Sequence, residues 1–172
     1  MKKLFLILLC LPFIGFGQQT YVPDDNFEKY LEANGMGNGI ANDDYVTTSN
    51  INMIPTLYIQ NQSISDLTGI EDFTNLGTLA CYDNQITSLD LSNNGCLRSI
   101  DVRNNMLTSL NVANGNYLGF GCWATGGAQG MAIFVLMTTN NPALSCIIVD
   151  DSAYSAIHWT HYLFEKDPQH YY

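Results

Sequence analysis

Basic residues are scarce: six Lys and Arg stand against sixteen Asp and Glu, for a formal net charge of −10. Two of the six, Lys2 and Lys3, lie at the extreme N-terminus, which leaves Lys29, Arg98, Arg103 and Lys166 for the rest of the chain. So acidic a surface repels nucleic acid and anionic lipid, because phosphate binding is built on Lys and Arg. Long apolar runs are also few. Leu4 to Phe16 is too short for a membrane helix, which needs about 20 apolar residues, and Met131 to Met137 is shorter still. CxxC, HExxH, GxSxG and the DxDxDG order of calcium loops are all missing. Their absence removes the sequence signatures of zinc clips, zinc proteases, serine hydrolases and EF-hands.

The N-terminal apolar run, preceded by Lys2 and Lys3 and followed by Gly15 and Gly17, has the layout of a signal peptide cleaved after Gly17. Cys10 is no lipoprotein anchor, since Leu9 occupies the place where a small residue is needed. About 155 residues then remain, enough for one domain, and no membrane span is expected among them. Four cysteines stay with this portion: Cys81, Cys96, Cys122 and Cys146. Export would allow them to pair, but Cys81 and Cys146 fall at or near apolar repeat positions, which favours buried thiols.

An internal repeat dominates the rest. Leu76, Leu79, Cys81, Asn84, Ile86, Leu89 and Leu91 recur at identical intervals as Leu97, Ile100, Val102, Asn105, Leu107, Leu110 and Val112. Upstream, Leu57, Ile59, Gln62, Ile64, Leu67, Ile70 and Phe73 form a unit one residue longer, with Gln in place of Asn. Leu118 starts the next unit on schedule, yet the stretch to Leu136 is rich in Gly and five residues longer than Leu97 to Leu110. Register is expected to return at Leu144, Ile147 and Val149, read as the opening of a last unit.

Apolar and polar residues alternate at the start of each unit, as in a short strand with one buried face. The spacing then changes to threes and fours, so the chain turns and runs back. Each coil buries its Leu and Ile against the next coil, which makes a continuous core. Asn suits the turn because an inward amide offers both donors and acceptors to backbone groups leaving the strand. Gln62, Asn84 and Asn105 are therefore read as a structural ladder.

The pattern LxxLxLxxNxL resembles the leucine-rich repeat. With "VPDDNFEKYLEANG" before it and "NNPALSCIIVDDSAYS" after it, the chain is similar to secreted bacterial leucine-rich repeat proteins of the cell-surface, internalin-like type. The resemblance implies an α/β-type solenoid of about four to five coils, with a parallel β-sheet on its concave face and a cap at each end. The expected divisions are a signal peptide at 1–17, a helical N-terminal cap at 18–50, a solenoid at 51–149 (irregular at 119–135) and a C-terminal cap at 150–172. Tyr154, Ile157 and Trp159 would cover the last coil. Larger relatives often carry a C-terminal sorting domain, and none is recognised before Tyr172. The expected address is the periplasm, the cell surface or the exterior.

The resemblance implies partner recognition without a shared reaction. Residues between and just after the apolar strand positions face away from the core, so Tyr58, Gln60, Asn61, Ala80, Tyr82, Asp83, Asp101, Arg103 and Asn104 are the expected contact residues. Ile148 and Asp150 are placed beside them on the last coil. Tyr and Arg are favoured interface anchors. The expected partner is a protein or a surface glycan, bound by a monomer. Two competing readings remain: a secreted metal-dependent hydrolase using His158, His161, His170, Glu165 and Asp167, and a fragment of a larger adhesin. Oxygen-rich Asn38, Asn42, Asp43 and Asp44 resemble a calcium loop in composition but lack its order, so a polar turn is expected there and no cofactor is implied.

Overall fold

Strands of two or three residues open the described coils, and they stack in parallel. The computed structural model describes residues 17–115, 135–153, 155 and 164–165. In it β3 (Thr56–Tyr58), β4 (Thr78–Ala80), β6 (Ser99–Asp101), β8 (Val135–Met137) and β10 (Phe164–Glu165) form a five-stranded parallel sheet in spatial order. Leu57, Leu79, Ile100 and Leu136 sit side by side across four of these strands, all facing the core. Backbone bonding continues past the strand ends, from Cys81 N–H to the Asp101 carbonyl and from Val102 N–H to that of Met137.

The return legs of three coils carry a second strand, which the three-and-four spacing does not foretell. β5 (Ser88–Asp90), β7 (Ser109–Asn111) and β9 (Ile147–Ile148) make a separate three-stranded parallel sheet. Leu89, Leu110 and Ile147 are its inward row. Between the two sheets lie Ile64, Ile86, Leu91, Leu97, Val102, Leu107 and Leu144, buried almost completely. Each such side chain stabilises the fold by roughly 1.5–3 kcal/mol relative to exposure.

Pairing also corrects the register of the last coil. Leu136, not Ile147, is the counterpart of Ile100, and Ile147 is the counterpart of Leu110 in a return leg rather than of a unit's opening strand. Thirty-six positions separate Ile100 from Leu136, where twenty-one separate Leu79 from Ile100. The fifteen extra residues lie between Val112 and Val135. A regular spacing carried across that insertion therefore lands on the wrong leg of the coil.

The N-terminal end is closed by α1 (Asp25–Ala33). Asp24 caps it, accepting from the backbone N–H groups of Asn26 and Phe27, both at 3.0 Å. Phe27 and Leu31 enter the core, and the Phe27 ring stacks on Phe73 with centroids 6.3 Å apart. The same Asp24 carboxylate reaches the first coil, taking the Ser65 N–H and hydroxyl at 2.8 Å each and the Asp66 N–H at 3.1 Å. A two-stranded antiparallel ribbon of β1 (Gln19–Tyr21) and β2 (Tyr45–Thr47) lies alongside, followed by the single turn α2 (Thr48–Ile51). Gly69, at φ +100, lets this ribbon approach: a Cβ there would stand 2.8 Å from the Tyr21 carbonyl oxygen and 2.9 Å from Val22.

Cysteines do not all follow the buried-thiol expectation. Cys81 is free and fully buried, and Cys146 is free but exposed, because the register shift places it outside the core. Cys96 is disulfide-bonded. Among the described residues no helix is long and apolar enough to cross a membrane. The expectations for residues 1–16, for the irregular stretch up to 134, and for Tyr154, Ile157, Trp159 and the three histidines lie outside the described residues.

Candidate functional site

Two adjacent residues at the end of each opening strand do separate work. The first adopts a left-handed backbone: Asn61, Asp83, Asn104 and Asn140 have φ of 58°, 56°, 54° and 60°. Asn and Asp tolerate this region better than other side chains. Neighbouring coils are then joined through these side chains, Asn104 Nδ2 donating to Asp83 Oδ1 and Asn140 Nδ2 donating to Asn104 Oδ1, each at 2.6 Å. Asp83 and Asn104, expected as contact residues, therefore carry a backbone role that accounts for their identity.

The second residue turns inward. Asn84 donates to the Ile59 and Cys81 carbonyls at 2.8 and 2.9 Å and accepts from the Gln62 and Ile64 N–H groups. Asn105 donates to the Cys81 and Val102 carbonyls and accepts from Ile86 N–H, all near 3.0 Å. Asn141, unnoticed in the sequence, repeats the arrangement with Val102, Thr138 and Leu107. Its signal was the Asn pair at 140–141, hidden by the insertion. Gln62 does not join this ladder. It is exposed, and its amide donates only to the Gln60 carbonyl at 3.0 Å. β3 is the edge of the described sheet, with no preceding coil for Gln62 to bond, so Gln62 stays outside.

What remains on the outer face of the five-stranded sheet forms three rows. Strand pairing aligns Thr56, Thr78, Ser99 and Val135 in one, and Tyr58, Ala80, Asp101 and Met137 in the next. Gln60, Tyr82 and Arg103 follow, two residues beyond Tyr58, Ala80 and Asp101 on their coils. Small side chains at Thr78, Ala80 and Ser99 leave an open depression of about 510 Å³, walled by Tyr58, Gln60, Tyr82, Asp101, Val135 and Met137. Tyr58 stands 56% exposed at one side. At the other, Arg103 Nε and Nη2 grip Asp101 at 2.9 and 2.7 Å, and the guanidinium lies 5.7 Å from the Tyr82 ring centroid. Gln60 Oε1 is buried with no hydrogen-bond partner.

Thus Tyr58, Gln60, Tyr82, Asp101 and Arg103 are gathered on one face. Thr78, Ser99, Val135 and Met137 were missed, the last two because of the insertion. Ile148 and Asp150 belong elsewhere. Ile148 lies in β9 of the other sheet, and Asp150 accepts from the Gly115 N–H at 3.0 Å. Of the four residues in the oxygen-rich loop, Asn38 donates to the Asp43 carboxylate, and Asn42 and Asp44 take left-handed backbone conformations.

Parallel strands stacked coil on coil, with an asparagine ladder at their ends, define a leucine-rich repeat solenoid. No family model matches the chain. A stretch of 74 residues is 38% identical to Internalin J of Listeria monocytogenes, covering 43% of this chain and 8% of that protein. Among solved structures, the functional domain of InlJ from the same organism, described as including a cysteine ladder, superimposes with a TM-score of 0.47 at 23% identity, over 77% of this chain and 33% of that one. Internalin C2 superimposes with a TM-score of 0.35 at 14% identity, over 81% and 84% of the respective chains. The protein is a leucine-rich repeat solenoid, similar over 74 of its residues to an internalin. It spans a small part of the curated relative's length.

Proposed function

We propose that the protein is an exported, non-catalytic recognition module that binds a protein or a surface glycan through the outer face of the five-stranded sheet. The observation that carries this reading is the depression between Tyr58 and Tyr82, floored by small residues. An aromatic wall, a small-residue floor and an unpartnered amide oxygen suit a flat or branched group that stacks on a ring and donates one hydrogen bond. Sequence likeness to a named internalin supports a binding role, and the layout of residues 1–17 supports export.

Binding of the purified chain to a glycan array and to intact cell surfaces tests the reading. Tyr58→Ala and Tyr82→Ala should each weaken retention at least about tenfold, the scale of an interface anchor. Ser88→Ala and Ser109→Ala, on the opposite sheet, should leave it unchanged. Equal loss from both pairs would sink the proposal.

A further inference from the structure

One tyrosine of the candidate face already carries an arginine. The Arg103 guanidinium lies 5.7 Å from the Tyr82 ring centroid, while its Nε and Nη2 bond Asp101 at 2.9 and 2.7 Å. Tyr58 stands at the other side of the same depression with 56% of its surface exposed. Among the described residues no cation and no second ring covers it. Nearby, Gln60 Oε1 is buried and accepts no hydrogen bond. A buried acceptor without a donor is costly, and a ligand that supplies the donor removes that cost.

Strand pairing sets the width of the gap. Tyr58, Ala80 and Asp101 are direct neighbours across β3, β4 and β6. Adjacent strands lie about 4.8 Å apart, so Tyr58 and Asp101 are separated by roughly 10 Å with a methyl group between them. One flat group fits there, between an aromatic ring and a carboxylate. The Gln60 amide oxygen and the Asp101 carboxylate that line the gap are acceptors, and the Thr78 and Ser99 hydroxyls can accept as well. The donor fork of Arg103 is engaged by Asp101. With a net charge of −10, the chain draws a cationic partner from a distance and repels an anionic one.

We infer that the depression receives the guanidinium of an arginine from a partner protein, laid on the Tyr58 ring and donating to Gln60 Oε1 and the Asp101 carboxylate. Such an occupant presupposes the recognition role proposed above and makes the partner a protein with an exposed basic segment. Guanidinium suits the gap better than ammonium. It is flat, stacks on an aromatic face and presents its donors as a fork, so one group meets a ring and two acceptors together. It repeats on Tyr58 what Arg103 does on Tyr82. A neutral sugar would also stack, but it gains nothing from the net charge of the chain.

Fluorescence anisotropy of labelled, end-blocked tetra-arginine with the full chain tests this, alongside tetra-citrulline and a neutral oligosaccharide. Citrulline keeps the planar shape and removes the charge. Saturable tetra-arginine binding is expected, at least about tenfold tighter than that of tetra-citrulline and weakening as salt is raised. Tyr58→Ala and Gln60→Leu leave the net charge unaltered, so a loss of at least about tenfold in each separates this site from general attraction to an acidic surface. Ser88→Ala, on the opposite sheet, should bind as the parent does, and circular dichroism confirms that each variant is folded. Equal affinity for tetra-citrulline, or undiminished tetra-arginine binding in either site variant, overturns the inference. Oligosaccharide binding that Tyr58→Ala abolishes, without tetra-arginine binding, also overturns it but upholds the recognition role of the face. Retention on cell surfaces that is indifferent to Tyr58 overturns both.

Discussion

The side-chain amide of Asn105 donates to the backbone carbonyl of Cys81 in the preceding coil at 3.0 Å. That one bond crosses between coils, while a second from the same amide group goes to Val102 within its own coil. Asn84 and Asn141 repeat the relationship on either side. The ladder thus works between neighbours, and its loss from one coil removes hydrogen bonds from backbone groups in two.

Asn105→Ala should therefore destabilise the protein by about 1–3 kcal/mol, since it leaves the Ile86 N–H unpaired in a buried site and takes one of two amide donors from each of the Cys81 and Val102 carbonyls. Urea unfolding followed by circular dichroism measures this as a lower midpoint at unchanged slope. Gln62→Ala, at an exposed position outside the ladder, should cost under about 0.5 kcal/mol. Similar costs for the two variants would contradict the assignment.

Asp24 links cap and solenoid, and it makes that link dependent on pH. Partial burial pushes its pKa up. Hydrogen bonds from the Ser65 N–H and hydroxyl, then from the Phe27 and Asp66 N–H groups, outweigh burial and hold it below the usual 3.8. Because the folded value is depressed, the contribution is complete above the unfolded pKa and disappears as pH falls through the folded one. Stability should accordingly drop as the solution is acidified below about pH 4. Asp24→Asn should lower stability at neutral pH by about 1–2 kcal/mol and flatten the acid limb. Tm measured between neutrality and strong acid decides it; an unaltered acid limb in the variant would remove Asp24 as the cause.

Cys81 and Cys146 should differ sharply toward thiol reagents. Burial pushes the Cys81 thiol far up, and the Asp101 charge adds to it, so no thiolate forms in the folded protein. Cys146 is exposed. Mild alkylation of the native chain followed by peptide mass spectrometry should find Cys146 modified and Cys81 intact, with Cys81 reacting only in denaturant. Native modification of Cys81 at a comparable rate would show that the coils open readily around it.

Local spacing made much of the solenoid legible. Leu79, Cys81, Asn84 and Ile86 repeat at Ile100, Val102, Asn105 and Leu107 because each coil must place the same side chain against its neighbour. α1 was legible for a similar reason, since Asp24 and Phe27 form a cap and a buried face within one turn. The return strands were not, as "SLD" and "SLN" are three residues long and become strands only when coils align. The candidate face was legible at Tyr58, Tyr82 and Arg103. It was not at Met137, nor for the backbone duty of Asp83 and Asn104.

The sequence by itself determined which residues turn inward within a coil, because burial and the asparagine turn impose a fixed interval on the chain. Only the tertiary structure decided which coil neighbours which after Val112. It also decided that Ile148 faces one way and Met137 the other, and that Tyr58 and Asp101 wall one depression. These depend on contacts between segments far apart in the chain. The fifteen residues inserted ahead of Val135 change no local preference but shift every later position, so pairing in space, rather than counting along the chain, sets the register there.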